Sequence, residues 1–344
     1  MALTINTNIS SLIAQRNLNA ATNALNTSIE RMTTGYRINH AGDNAAGYSI
    51  ANMWETQLGS LDIAADNAAT GADMLTTAEE TYGLLTSHLQ RVRDLTEQAA
   101  NGTYGSQSLK AIQAEIVARL QEVDRISANS EFNGIKLMSF TAAGDGSGIR
   151  AEGVNLQVGL YADINSTIVL GTELFKDASV NGIFKAMTKQ DGSAQTLDDL
   201  IKKGGAAGGV NDLGSTTAAT KEAAIQAFAA ACCGMTYTSG TKTLALNDGT
   251  AGYGAKEMLA YLDAGINEIS GRVTKIGAAQ NRVSSALTAL DVQSQNITSS
   301  LSTLRDTDIA AESSNYIQAQ ILQQASSTLL STANQLPSVA LNLI

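Results

Sequence analysis

Apolar residues recur along the last third of this chain with the period of a helix that packs on partners. Leu262, Ile266, Ile269, Val273, Ile276, Gln280, Val283, Leu287, Leu290, Ser294, Ile297, Leu301 and Leu304 alternate by four and three residues, and only Gln280 and Ser294 break the apolar set. A sustained period of 3.5 residues keeps one stripe facing a partner, which is the pattern of a coiled-coil seam. A helix of about 45 residues would run roughly 65–70 Å, too long and thin to stand alone in water. The front of the chain supplies partners. Leu58, Leu61, Ala65, Ala68, Ala72, Leu75, Tyr82, Leu85, Leu89 and Val92 form one stripe that stops near Asn101-Gly102, a turn signal. Leu109, Ile112, Ile116, Leu120, Val123 and Ile126 form another. Two antiparallel helices and the late helix make a rod-like bundle, so both ends of the sequence meet in space.

Two further helices are expected outside this bundle. Ile5, Ile9, Leu12, Leu18, Leu25, Ile29 and Met32 lie at helical spacing at the front. After an Asp306-Thr307-Asp308 capping cluster, Ile309, Ile317, Ile321, Leu322, Leu329, Leu330 and Leu336 do so at the back. A two-helix hairpin buries too little to offset its conformational entropy. The terminal segments are therefore expected to stay disordered in a single copy and to fold against other copies. Ile5, Ile9, Leu12, Leu25, Ile29, Ile321, Leu322, Leu329, Leu330 and Leu336 are the candidate polymerisation seam.

The middle changes character. Eighteen of the 30 glycines fall between Phe140 and Ala255. Residues 154–160 alternate with period two, 167–170 form a short apolar run, and 235–238 with 242–246 flank Ser239-Gly240 as a hairpin. A short helix is expected from Lys221 to Ala231, and the Gly204–Gly209 stretch reads as a loop. The fold class is mainly α: a long helical coiled-coil and bundle built from both termini, with β-hairpins and a small α+β variable outer lobe. The expected division is 1–42 with 305–344 as a terminal coiled-coil domain, 43–178 with 253–304 as the bundle, and 179–252 as the surface lobe.

Composition supports this picture and narrows function. The only proline is Pro337 and aromatics are 4% of the 344 residues, which permits long helices and suits narrow aliphatic seams. A net charge of -10 opposes nucleic-acid binding, which needs clustered Lys and Arg. No apolar run reaches the length of a membrane span. Residues 1–15 carry neither Lys nor Arg nor a continuous apolar stretch, so no cleavable secretory leader is expected.

Chemistry is sparse. No metalloprotease, P-loop, dinucleotide or nucleophile-elbow motif occurs, and no catalytic residue, cofactor or metal site is expected. Adjacent cysteines rarely form a disulfide, so Cys232 and Cys233 read as small buried or half-buried residues at a helix end. His40 reads as an exposed or capping residue at a helix boundary and His88 as a surface residue.

Several segments together resemble bacterial flagellin: Leu3 to Ile9, Arg31 to Asn39, Asp43 to Gly47, Leu89 to Leu95, Ala114-Glu115-Ile116, Glu131 to Gly134, Gln318 to Ala325 and Ala333 to Pro337. The likeness covers roughly residues 1–175 and 253–344, with the motifs in order. It departs at Trp54, Met53 and His40-Ala41-Gly42, and at Ile344, where many relatives carry Arg. The resemblance implies a filament subunit for swimming, extracellular, exported through the flagellar type III channel without a cleavable signal peptide. Implied partners are further copies of itself, an export chaperone, cap and hook-junction proteins, and the host Toll-like flagellin receptor. Gln90, Arg91, Leu95 and Glu115 match the positions that meet that receptor in many flagellins. The plainer alternative is that they form a subunit contact in which Arg91 and Glu115 pair with a neighbouring copy. Rival functions are a hook–filament junction protein, a secreted adhesin or ligand acting through the outer lobe, and a filament with a protease lobe, the last opposed by the missing zinc motif.

Overall fold

A computed structural model describes residues 8–138, 153–161, 163–184, 218–238, 243–246 and 251–341. In chain order the elements are α1 (Ile9–Thr34), α2 (Ala45–Ala99), α3 (Ser106–Asn129), β1 (Glu131–Phe132), β2 (Ile135–Lys136), β3 (Val154–Gln157), β4 (Thr167–Leu170), α4 (Val180–Phe184), α5 (Ala218–Cys232), β5 (Met235–Thr238), β6 (Thr243–Leu246), α6 (Ala251–Arg305) and α7 (Ile309–Leu341). The strands pair only as antiparallel hairpins: β1 with β2, β3 with β4, and β5 with β6. The turn between β1 and β2 is Asn133-Gly134, both with positive φ (49° and 77°), the backbone that a two-residue turn of this hand demands. The loop at Gly204–Gly209 and the Ser239-Gly240 turn lie outside the described residues.

The chain forms two compact units, residues 63–290 and residues 1–62 with 291–344. The first of these has one continuous apolar core. Leu75, Tyr82, Leu85, Leu89 and Val92 of α2 meet Ile116, Leu120 and Val123 of α3 and Leu262, Ile269, Ile276 and Val283 of α6. Along α6 the heptad stripe splits cleanly. Every second seam position (262, 269, 276, 283) is fully buried, whereas Ile266, Val273 and Leu287 are only partly so. Gln280 donates through Nε2 to Glu79 Oε2 at 2.8 Å, which explains a polar residue within the stripe.

Polar groups tie the hairpins and short helices to this core. Gly71 of α2 leaves space that the Leu156 side chain of β3 fills, and a Cβ there would collide with it. Tyr82 donates its hydroxyl to the Leu174 carbonyl at 3.0 Å. Burial pushes the Tyr82 phenol above its ordinary value, with the Arg272 guanidinium opposing. Arg272, the one buried cation among the described residues, reaches the carbonyls of Lys176 (3.3 Å) and Asp177 (3.0 Å) and the carboxylate of Glu268 (3.2 Å). Such a charge is tolerated inside only when its donors are met.

The described part of 179–252 does not stand apart from the bundle. Phe184 and Phe228 touch at 5.0 Å between ring centres, and Ala229, Ala230, Cys232 and Cys233 are fully buried in the same core as α3. From Ile225 to Cys232, helix α5 is apolar except for Gln226, and this stretch is favoured inside. The boundary between the two units falls inside α2 and α6. Within the terminal unit, Arg37 bonds to the end of α6 and Arg305 pairs with Glu55 of α2.

Candidate self-association surface

Helices α1 and α7 lie antiparallel, with Thr22 Oγ1 accepting from Gln323 Nε2 (3.2 Å), Ser11 Oγ donating to Asn334 Oδ1 (2.7 Å) and Asn8 Nδ2 donating to the Ala333 carbonyl (2.7 Å). Asn8 also accepts from the Ser11 N–H and so caps α1, while Gly35 (φ 75°) ends it in the left-handed region. Asp308 Oδ1 accepts from the N–H groups of Ala310 and Ala311 and caps α7, in line with the sequence reading.

The seam between these two helices is built from small residues. On α1 the buried positions are Ala14, Ala21 and Ser28, spaced by seven, with Ser11, Leu18 and Leu25 half-buried between them. On α7 they are Glu312, Ala319, Ser326 and Ala333, again spaced by seven, with Tyr316, Gln323 and Leu330 half-buried. Glu312 is a buried carboxylate in the first turn of α7, where the helix N-terminus favours negative charge, and it accepts from Asn315 Nδ2 at 3.4 Å. Small side chains let the backbones approach closely, so the large aliphatic residues are left on the outside.

That outside is the notable surface. Ile9, Leu12, Ile321 and Leu329 are 64%, 62%, 61% and 63% exposed, and Ile29 and Leu322 are exposed as well. Ile13, Ile309 and Ile317 extend the same display. Of the seam residues expected from sequence, Leu25 and Leu330 are half-buried within the chain's own pair. Ile5 and the side chain of Leu336 lie outside the described residues. Sequence reading missed Ala14, Ala21, Ser28, Ala319, Ser326 and Ala333 because it followed size. The sevenfold spacing of small residues is the signal that locates them.

Two of the four residues expected at a receptor or subunit contact are paired with each other. Arg91 donates from Nε to Glu115 Oε1 at 3.0 Å, with Nη2 at 2.9 Å from the same oxygen. Within this chain the pair joins α2 and α3. Gln90 is exposed beside it. Leu95 does not share that surface: it is 2% exposed and packs in the bundle core. A face of α2 turns through the core every three or four residues, and 95 continues the buried row 85, 89, 92.

Elsewhere the described residues hold no group of three or more His, Cys, Asp or Glu side chains fit for a metal. None of their helices is long and apolar enough to cross a membrane. His40 is an exposed partner of Glu30 at 2.7 Å, beside Asp43, whose carboxylate takes the N–H groups of His40 and Asn39 and is thereby held below its ordinary value. His88 is half-buried rather than on the surface, and its Nδ1 is enclosed.

A helical chain whose two ends pair through alanine and serine while turning leucine and isoleucine outward is a subunit shaped for association with others. Comparison agrees. Residues 5–143 match the bacterial flagellin N-terminal helical region, and residues 259–344 match the bacterial flagellin C-terminal helical region. Over the whole of both chains, this sequence is 32% identical to Polar flagellin F of Vibrio parahaemolyticus and 34% identical to Flagellin D of Vibrio cholerae. A solved structure, FliC from Burkholderia pseudomallei, is similar at a TM-score of 0.36 and 20% identity, over 62% of this chain and 99% of that one. The chain belongs to the bacterial flagellin family. It is a structural subunit of the extracellular flagellar filament and not an enzyme.

Proposed function

We propose that copies join through the outward aliphatic face of α1 and α7, with Ile9, Leu12, Ile29, Ile321, Leu322 and Leu329 as its centre. The supporting observation is the inversion of size on this pair, small residues within and large ones exposed. Each such side chain contributes about 1.5–3 kcal/mol when fully covered. Ile5, Leu25, Leu330 and Leu336 belong to the same proposal through their place in the sequence pattern. Replacing Leu329 and Leu330 with Asp adds the cost of desolvating charge. The variant should fail to extend filament seeds while the bundle keeps its thermal unfolding midpoint. Normal filament growth by this variant refutes the proposed seam. The same aliphatic face needs cover before assembly, and this supports an export chaperone among the partners. Cap and hook-junction proteins, and export without a cleavable leader, belong to the same proposal through the family.

A second reading concerns the host Toll-like flagellin receptor. The exposed Gln90 and the Arg91–Glu115 pair present both charges and a side-chain amide on one surface of α2 and α3. Arg91→Ala and Glu115→Ala should each weaken receptor signalling by purified monomer, with Leu95→Ala acting instead through bundle stability. Equal signalling by all three variants would remove this reading.

A further inference from the structure

The joint between the terminal pair and the adjoining stretches of α2 and α6 is more elaborate than a linker requires. Helix α6 stops at Arg305, leaving the carbonyls of residues 302–305 without donors from their own helix. Each is met. The Asp306 N–H donates to the Ser302 carbonyl at 2.9 Å. The Arg37 guanidinium Nη2 donates to the Leu304 carbonyl at 2.8 Å and, at 3.4 Å, to that of Thr303. The Arg37 backbone N–H donates to the Arg305 carbonyl at 2.6 Å. The end of α6 is therefore capped by a residue from the opposite end of the chain.

The capping runs both ways. Thr307 N–H donates to the Gly35 carbonyl at 2.9 Å, and Tyr36 and Asp306 form an antiparallel bridge between these bonds. The two chain crossings, 35–37 and 305–307, are thus a short ladder and not two independent loops. Side chains close it. The Arg305 guanidinium lies 4.2 Å from the Tyr36 ring centre, and its Nη1 meets Glu55 Oε2 of α2 at 3.1 Å. A guanidinium held over an aromatic face and paired to a carboxylate is fixed in both position and direction. Just beyond, Ile38 is buried against Gly47 at the start of α2, where any side chain would press on it.

We infer that Tyr36, Arg37, Arg305 and Glu55 form a rigid joint that sets the direction in which the α1–α7 pair leaves the adjoining stretches of α2 and α6. This rests on the reading of that pair's outer face as the assembly seam: a seam aimed wrongly cannot meet its neighbours. Arg37 acts as a positioning residue, since it touches the α6 terminus and not the outer face. The sequence Gly35-Tyr36-Arg37-Ile38 then has a residue-by-residue logic. Glycine ends α1, the ring carries the guanidinium, arginine caps α6, and isoleucine anchors the crossing.

Spin labels at Gln15 on α1 and Thr56 on α2, both exposed, test the joint. The background is Cys232→Ala with Cys233→Ala, and the labelled protein is a small fraction of otherwise unlabelled filaments. The parent and Tyr36→Phe, which keeps the ring, are expected to give one narrow distance peak. Arg37→Ala and Tyr36→Leu are expected to lose that narrow peak. Retention of the parental peak in both overturns the joint. If Arg37→Ala does not enter filaments, its bundle unfolding midpoint decides: an unchanged midpoint, with Tyr36→Phe incorporating normally, supports the joint, and a lowered midpoint overturns it. The seam reading fails separately. If the Leu329→Asp, Leu330→Asp variant extends filaments, the seam is wrong while the label distances still judge the joint.

Discussion

The two units of this chain use their apolar helix faces in opposite ways. In residues 63–290 the largest side chains, such as Tyr82, Phe184, Phe228 and Leu89, are wholly enclosed. In the terminal pair the enclosed side chains are alanine, serine and one glutamate, while Ile9, Leu12, Ile29, Ile321, Leu322 and Leu329 face outward. Burial is rewarded roughly in proportion to apolar area. The bundle therefore gains its stability within one copy, whereas the terminal pair gains little until another surface covers it. On the proposed seam, this contrast separates a subunit's folding from its polymerisation.

The sharpest way to break that contrast is to open the enclosed core. Phe228→Ala removes a fully buried ring packed on Phe184 and should cost about 3–5 kcal/mol, read as a lowered midpoint in chemical unfolding of the monomer. A loss well below that range would mean that α5 is loosely attached and that the outer-lobe expectation was nearer the truth. Next in size is Ala21→Leu at the α1–α7 seam. A larger side chain at this close approach should cost about 1–3 kcal/mol through overpacking. On the proposed seam, the loss should show in the temperature at which filaments depolymerise and hardly at all in the bundle's unfolding midpoint. An unaltered filament would mean that the small-residue seam tolerates separation.

A smaller effect follows from the buried thiols. Burial raises both above the ordinary value of 9.0, Cys233 to about 12, and Cys232 is raised further by its neighbour Cys233. The folded protein thus holds these protons more tightly than the unfolded chain. Their contribution is complete below pH 9.0 and is lost as the pH rises toward the folded values, because the unfolded chain then releases protons that the native state keeps. Each thiol should add about 1.4 kcal/mol of lost stability per pH unit over that window. Urea unfolding of the monomer at rising alkaline pH should show a steeper decline in the parent than in the Cys232→Ala, Cys233→Ala variant. Parallel declines would mean that the thiols reach solvent.

Much of this architecture was legible from residue spacing, and the failures are informative. The heptad from Leu262 to Leu304 located α6, and the early stripes located α2 and α3, because each helix buries one face over many turns and the pattern accumulates. Hairpins at 154–157 with 167–170 and at 235–238 with 243–246 were also visible as short alternating runs. Periodicity gives a face, however, and not what covers it. Resemblance alone marked Leu95 as contact surface, where the row through Leu85, Leu89 and Val92 already placed it inside. Nothing local in Ala218–Cys232 names the helix that α5 packs against. The joint at Tyr36, Arg37 and Arg305 was invisible for a similar reason. Its bonds span more than 260 positions, and no local pattern registers a helix cap supplied from that distance.

The weakest expected effect lies on the bundle's outside, at Arg91 and Glu115. Their geometry is good, two nitrogens on one carboxylate oxygen at 3.0 and 2.9 Å, yet both side chains are more than a third exposed and water competes for each charge. Arg119 stands 3.9 Å from the same oxygen, so removing Arg91 leaves Glu115 with another cation in reach. A double-mutant cycle of Arg91→Ala and Glu115→Ala on the unfolding of the monomer should therefore give a coupling of about 0.2–1 kcal/mol, shrinking as salt is added. Such weakness is what a recognition surface needs, because a strong internal pair would resist surrendering its charges to another molecule. A coupling well above that range, insensitive to salt, would make the pair a structural clamp between α2 and α3 and count against its use as a contact for anything else.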